Sequence, residues 1–578
     1  MKNIILKNKQ LLLSLIMGFS IYATLSFQKY IAHFNVLFLV VLVLLISYIY
    51  KSDLFNKKYT KLCISLSLFF AIFFLLGRIC YNFRYNSIYN LWTEFFNLKS
   101  ILYIGGYFSL FYTFFINITP KIDSIKVIKK FKIKKKINVF VCSSLIIFLC
   151  WIPYLLVYYP GFFTGDSISE LRQIINNFVG LSDHHTVAHI LFASIPFKIG
   201  MSIFNNVNIA ASLISITQMI VMSTIFGYCI NFLYKKGVNK KILIFVLGYF
   251  ALVPIHGFYS ITMWKDIIFS GCILLLSIEL IKLLDKEKIT IKNSYSFIII
   301  SILTVFFRNN AIYMYIILAL VSLFVFRKQV KTMVVMLLIV FCVYGVIKGP
   351  VFNYFNVKTS SSKEYIAIPL QQIGRMAYKG VEFTNTEEEL INELIPLETL
   401  KKVYNAEIVD SIKFNDNYNA EAFEKNKFEY LKMWASLCVK NFDIATEAYL
   451  MSTLGYWYPN IDYWTVVARI DKNEIELYDD SIFPDRIKNV TDKLTTKSIP
   501  IYSFIWSIGL CIWIIVISIA MILRNKDKRA IYVFTPVIGV WLTMMVATPV
   551  FAEFRYIYCA FTTLPILLLS SNLIKLSK

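Results

Sequence analysis

The sequence predicts an all-α polytopic membrane protein of about 14 transmembrane helices, with an interfacial helix and a mostly helical external domain. Three observations predict it. Apolar side chains make up 58% of 578 residues and aromatics 17%, more than a soluble globular domain carries. They fall in uninterrupted runs near the roughly 20 residues that a hydrocarbon core of about 30 Å demands of a helix. The Lys and Arg residues behind the net charge of +24 cluster in the connections between those runs.

The runs begin near Gln10, Val36, Lys61, Ile101, Ile137, Val207, Ile242, Lys265, Ser294, Ala311, Lys331, Ile501, Ala530 and Tyr556. The first lacks a small-residue cleavage site and many spans follow it, so no cleavable signal is expected. High Lys, Asn and Ile usage fits an AT-rich bacterial genome, and the expected location is the bacterial plasma or inner membrane.

Orientation follows from the basic connections. Those near Lys7, Lys57, Lys121 to Lys136, Lys235, Lys282, Arg327 and Arg524 belong on the cytoplasmic side by the positive-inside rule. The set is self-consistent if the short apolar helix from about Val187 to Phe204 lies in the outer interface without crossing. The polar stretch YYPGFFTGDSISELRQIINNFVGLSDHHT, residues 158–186, then faces outward. The charge is thus a topology signal, and no nucleic-acid partner is expected.

Four regions result. Residues 1–136 hold N-terminal transmembrane helices and a basic cytoplasmic loop, and 137–347 a transmembrane core with the external loop 158–206. Residues 348–500 form an external soluble domain, and 501–578 the C-terminal transmembrane helices. In the 348–500 insert Asp and Glu outnumber Lys and Arg, the reverse of the remainder. Its stretches EFTNTEEELINEL and NAEAFEKNKFEYLKMWASLCVKNFDIATEAYL place apolar residues three and four apart, as amphipathic helices do. The run YWYPNIDYW near Trp457 reads as an interfacial belt or a lid. Ten cysteines with no Cys-x-x-Cys pair make neither a disulfide framework nor a zinc site. No Walker A loop, dinucleotide fingerprint or Gly-x-Ser-x-Gly is present, so nothing points to bound ATP.

Charged groups at a bilayer edge are costly unless solvated or paired, so their positions are informative. Asp166, Asp183, His184 and His185 lie in the 158–206 loop; Lys265 and Asp266 start a span. Arg308, Asn309 and Asn310 form one outer turn, Glu553 and Arg555 another, and His256 sits beside Pro254 in an outer loop. Distant loops thus offer carboxylates and cations at one membrane depth. An external site for an anionic lipid-linked substrate requires this: cations for phosphate and a carboxylate for proton removal. Each group also has a plain role to weigh. Lys265 and Asp266 can be interfacial charge, Arg308 a snorkelling anchor, Glu553 and Arg555 a structural ion pair. His184 and His185 can be polar residues at a helix start, and Asp166 an N-cap.

The set PGFFTGDS, DHHT, MWKDI, RNNA, IPLQQIGR and EFRY resembles the bacterial multispanning family known as DUF6020. It also looks like membrane glycosyltransferases of the GT-C type, over roughly Trp151 to Leu568. One departure is that Thr186, not proline, follows His185. The resemblance implies a GT-C-like catalytic core in 137–347, a polyprenyl-phosphate-linked sugar as donor, and membrane lipids around it. The acceptor would be an extracytoplasmic glycan, lipid or protein. It implies Asp166 as general base in an inverting transfer, with Lys265, Arg308 and Arg555 neutralising the phosphate. Asp183, His184, His185, Asp266, Asn309, Asn310, Glu553 and, from IPLQQIGR, Gln371 and Arg375 complete the substrate-binding set. No cofactor is required; a divalent cation near Asp166 and His184 is left open, though Asp-x-Asp spacing is missing. A polysaccharide polymerase or ligase would use the same pocket on two lipid-linked glycans. A lipid or polysaccharide transporter would instead carry charges at mid-depth and broken helices in matched halves, which the pattern lacks.

Overall fold

The computed structural model describes residues 2–28, 36–53, 57–129, 138–359, 366–483, 485–495, 506–525 and 527–574. The boundaries drawn at Lys136, Ile137, Pro500 and Ile501 lie outside the described residues. Of the described residues 76% are helical, and they contain isolated bridges but no strand, so the class is all-α. Among them, nine helices are long and apolar enough to cross a membrane, or ten if Lys240–Leu252 and Pro254–Ser260, bent by 49°, make one broken span. The chain is a multi-pass membrane protein. The expected count of about 14 is not confirmed: among the described residues Leu12–Phe27, Val36–Tyr48, Tyr295–Phe307, Ala311–Val325 and Ile508–Arg524 are apolar helical stretches of 10–17 residues. Tyr295–Phe307 and Ala311–Val325 are parted by the polar Arg308-Asn309-Asn310 turn, which stops each before it gains full length.

The residues form two compact units. Met1–Ile125, Lys363–Ile461 and Thr548–Ala552 make one, and Lys126–Ser362, Asp462–Ala547 and Glu553–Lys578 the other. Of the polar insert read as 348–500, residues 363–461 fall in the first unit and 348–362 and 462–500 in the second.

In the first unit the insert is helical, as its periodicity predicts. Thr384 and Glu387 form a reciprocal capping box that starts Asn385–Leu394, satisfying two backbone donors that a helix start leaves open. Ala420–Lys425, Lys427–Lys440 and Phe442–Ser452 follow, parted by Asn426 and Asn441. Their apolar faces meet Ala367–Tyr378 around Leu370, Ile373, Ile391, Leu437 and Ala445. The aromatic run read as a belt or lid divides, with Trp464 exposed at its far end. Tyr456, Trp457 and Tyr458 are buried, and Trp457 and Tyr458 pack edge-on to Phe73 and Phe74 of Lys57–Phe83. Gly77 leaves the space that the Tyr458 ring fills.

In the second unit the connections sort to two ends. At one end Lys236 pairs with Asp285 and donates to the Leu573 carbonyl, and Asn239 N donates to Val127 O at 2.8 Å. The helix Lys265–Leu284 runs from this end to the other, about 30 Å away at 1.5 Å per residue. Asp166, Lys265, Arg308 and Arg555 are at that far end. The helix Val187–Phe204 is long and apolar enough to span, yet both its ends belong to the far layer. Thr186 Oγ1 donates to Phe307 O, and Asn208, just beyond its other end, donates to Tyr478 O.

Arg375 illustrates what a buried charge does to stability. Its guanidinium donates to Glu447 at 2.5 and 2.8 Å and to the carbonyls of Arg84 and Asn86; Lys379 joins Glu447 at 3.0 Å. Removing the carboxylate strands two cations in the interior, a loss of about 3–5 kcal/mol. Glu447→Gln is therefore expected to lower the melting temperature in detergent sharply. A shift within error would mean that water reaches this pair.

Candidate functional site

The site is built by a strap. At Gly161 φ is +129°, a region side chains avoid, and a Cβ there would stand 2.6 Å from the Ile261 carbonyl. Phe162 N donates to Ile261 O at 2.9 Å and Met263 N to Phe162 O at 3.1 Å. On the other side Asp471 N donates to Phe163 O at 2.9 Å. The polypeptide is thus gripped between the 261–263 and 469–471 segments. Gln218 braces the first of these by donating to the carbonyls of Tyr259, Ser260 and Thr262.

The helix Gly165–Ile175 starts directly after the strap. Its N-cap is Thr164, whose hydroxyl accepts from Trp264 Nε1 at 2.8 Å, while Asp471 Oδ2 accepts from Gly165 N at 2.7 Å. Asp166 is therefore not the N-cap. It is the second helical residue, and its Oδ2 accepts from Arg555 Nη1 at 2.6 Å. Burial works to raise its carboxyl, but Arg555, His185 and Lys265 outweigh burial and hold it well below the usual carboxylate range. Asp166 is ionised at neutral pH and its side chain is 41% exposed.

Arg555 stands in the first turn of Phe554–Leu573. The Trp264 and Tyr556 rings flank it at 4.9 and 5.1 Å, and its Nε faces Glu553 Oε1 at 3.4 Å. Glu553 is buried, and its carboxyl is pushed up to about 8. Burial is the main cause; Arg555 opposes it, and the charges of Asp266 and Asp166 reinforce it. Arg308 proves not to be a snorkelling anchor. It is buried, 3.4 Å from Asp266, donating to Tyr556 O at 2.9 Å. Since Asp266 is buried too, this pair is enclosed, whereas Arg555 and Asp166 reach the surface.

The turn between the two short helices is tied down by Lys348, which the sequence reading placed only at a domain edge. Its Nζ bonds the Asp183 carboxylate and Asn309 Oδ1, and Asn309 Nδ2 donates to Asp183 O at 2.6 Å. Lys265 Nζ donates to His184 O at 3.2 Å. His184 is exposed. His185 is buried with Nδ1 unpartnered, and burial, aided by Lys265, pushes it down to about 4, so it is neutral at pH 7. Arg555 and Lys265 then supply the positive field on Asp166. Asn310 precedes Ala311–Val325 without a side-chain capping bond. His256 is buried, its Nδ1 bonded to Tyr558 Oη at 2.8 Å, rather than in an open loop. Gln371 and Arg375 belong to the other compact unit. Arg375 is 0% exposed and held by Glu447, and Gln371 Nε2 donates to Asn405 O, so neither offers a free face to a ligand.

One pair was missed. Glu170 Oε2 and His189 Nδ1 are 2.6 Å apart and fully buried. The signal was there: Glu170 is four residues after Asp166 and His189 four after His185, spacings that put each pair on one helical face. The pair fixes Gly165–Ile175 against Val187–Phe204. Among the described residues no group of three or more His, Cys, Asp or Glu is placed to hold a metal.

The fold and site define a multi-pass membrane protein with an ionised carboxylate and two accessible cations at one end of its helices. Residues 176–575 match the model of DUF6020, described as a family of unknown function, and the chain belongs to that family. The match includes Asp183 to Arg555 of the site and starts just after the helix of Asp166. No curated protein and no solved structure matches the chain.

Glu553 gives a pH dependence with a definite sign. A carboxyl raised on folding binds its proton more tightly in the native state, so its stabilisation is full below about 4.5 and is lost as pH rises through about 8. Asp166, shifted the other way, loses its contribution only in acid below that window. The melting temperature should fall from pH 5 to 9, and Glu553→Gln should flatten the fall. An equally steep decline in the variant would place the titrating group elsewhere.

Proposed function

We propose that the protein is a membrane glycosyltransferase of GT-C type. It would move a sugar from a polyprenyl-phosphate-linked donor to an extracytoplasmic glycan, lipid or protein. The observation that carries this reading is the pairing of a half-exposed, ionised Asp166 with Arg555 at 2.6 Å, beside Lys265, at the end of an apolar helix layer. A lipid-linked phosphate has its tail among such helices and its charge at such an end. The opposite end carries the Lys235, Lys240 and Lys286 connections, which the positive-inside rule assigns to the cytoplasm. The site then faces outward in the bacterial plasma membrane.

The chemistry asked of the residues is modest. The acceptor hydroxyl oxygen attacks the anomeric carbon as the bond from that carbon to the phosphate oxygen breaks. The electron pair leaves with the phosphate, and the hydroxyl proton passes to Asp166. A single displacement inverts the configuration. Polyprenyl phosphate is a good leaving group, so positioning and charge neutralisation by Arg555 and Lys265 do most of what is needed. Arg308, enclosed with Asp266, shapes the site from behind.

Purified protein incubated with a panel of lipid-phosphate sugars and a membrane extract should transfer sugar. Asp166→Asn should stay folded and lose transfer by roughly 10²–10⁴-fold, the range of a general base; near-normal turnover would remove Asp166 from the chemistry. Orientation is tested separately. Cysteines at Val179 and Asp416, both exposed, introduced after Cys142, Cys342 and Cys438 are changed to Ser, should react with an impermeant reagent in intact cells. Reaction only after permeabilisation would turn the site inward.

A further inference from the structure

We propose that Arg555 is an exchangeable counter-ion: Asp166 occupies the guanidinium edge that a polyprenyl phosphate takes, and arrival of the phosphate releases Asp166 to act as base. This rests on the transferase reading above and adds the order of events to it.

The three nitrogens of Arg555 are unequally engaged. Nε faces Glu553 at 3.4 Å, Nη1 donates to Asp166 at 2.6 Å, and Nη2 has the Tyr556 hydroxyl at 3.5 Å. Glu553 thus lies behind the guanidinium at 3.4 Å while Trp264 and Tyr556 flank its plane. The remaining edge, Nη1 with Nη2, is the fork that recognises phosphate through two parallel bonds. Asp166 covers half of it.

Exposure decides which partner can move. The Asp166 side chain is 41% exposed and short, so it can turn to water; that of Arg555 is 17% exposed, between the Trp264 and Tyr556 rings. In the neighbouring pair Arg308 is 8% and Asp266 2% exposed, which leaves neither room to exchange. A carboxylate paired with a guanidinium is a weak proton acceptor. Transfer of the guanidinium to phosphate removes that counter-charge and sets an anion nearby, and both changes make Asp166 more basic. The base is armed only when the leaving group is seated.

The test is the affinity of full-length protein in detergent for a short-chain polyprenyl phosphate, the corresponding polyprenol and inorganic phosphate. Asp166→Asn and Asp166→Ala should each bind polyprenyl phosphate about tenfold or more tightly than wild type, because the competing anion is gone. Arg555→Ala should bind it at least tenfold more weakly, and the polyprenol should be indifferent to all three changes. In wild type, adding polyprenyl phosphate should shift a carboxylate infrared band that is missing in Asp166→Asn, a readout independent of the variants' stability. Unchanged or weaker binding by both Asp166 variants, or no loss in Arg555→Ala, overturns the exchange. If inorganic phosphate alone shows the effect, the exchange stands with a free anion as ligand and the lipid donor falls. Sugar transfer by wild type without tightened binding in the Asp166 variants leaves the transferase reading and removes the exchange. Tightened binding without sugar transfer does the reverse.

Discussion

A guanidinium at the end of an apolar helix bundle must find counter-charge in the protein, because lipid offers none and water only in part. Arg555 finds it in Asp166 at 2.6 Å, 389 residues away in sequence. That contact fixes the helix Gly165–Ile175 against the start of Phe554–Leu573, and the surrounding construction keeps both ends in place. The 161–163 strap, gripped by the 261–263 and 469–471 segments, sets where the first helix begins. Asp471 takes over the cap of that helix and leaves the Asp166 carboxylate free to pair. Glu170 and His189 lock the helix to its neighbour.

Two ion pairs of the same composition behave differently for a physical reason. Arg308 and Asp266 are enclosed by Phe269, Tyr556 and Met544, where a lost partner would leave an isolated charge. They hold the bundle together. Arg555 and Asp166 lie at the surface of the same layer, so water or a ligand can substitute for either partner. Glu553 sits behind both, its carboxyl raised by burial and by neighbouring carboxylates.

Much of this was legible in the sequence, for reasons of pattern. Uninterrupted apolar runs and basic connections reveal a polytopic membrane protein. Thr384 with Glu387 marks a helix start, and the three- and four-residue spacing in the insert marks its helices. The clustering of Asp166, Lys265, Arg308 and Arg555 followed from asking which charges share one side of the membrane. What the sequence could not show was pairing. Nothing local distinguishes Arg308, buried on Asp266, from Arg555, half-open on Asp166. Arg375 lies in the motif IPLQQIGR but is consumed by Glu447 in another unit. Burial of Tyr456, Trp457 and Tyr458 depended on a partner helix with a gap at Gly77, and aromatic composition alone pointed to the interface. The polar turn Arg308-Asn309-Asn310 parts two apolar helices of 13 and 15 residues, a length that apolar runs alone do not reveal.

The central claim is that the Asp166–Arg555 edge is where a lipid-linked phosphate docks. An electron cryo-microscopy structure of the protein with polyprenyl phosphate tests it most directly. The account predicts phosphate density within hydrogen-bond distance of Arg555 Nη1 and Nη2, the Asp166 carboxylate turned away from them, and the Arg308–Asp266 pair unaltered. Phosphate bound elsewhere, with Asp166 still on Arg555, would contradict it.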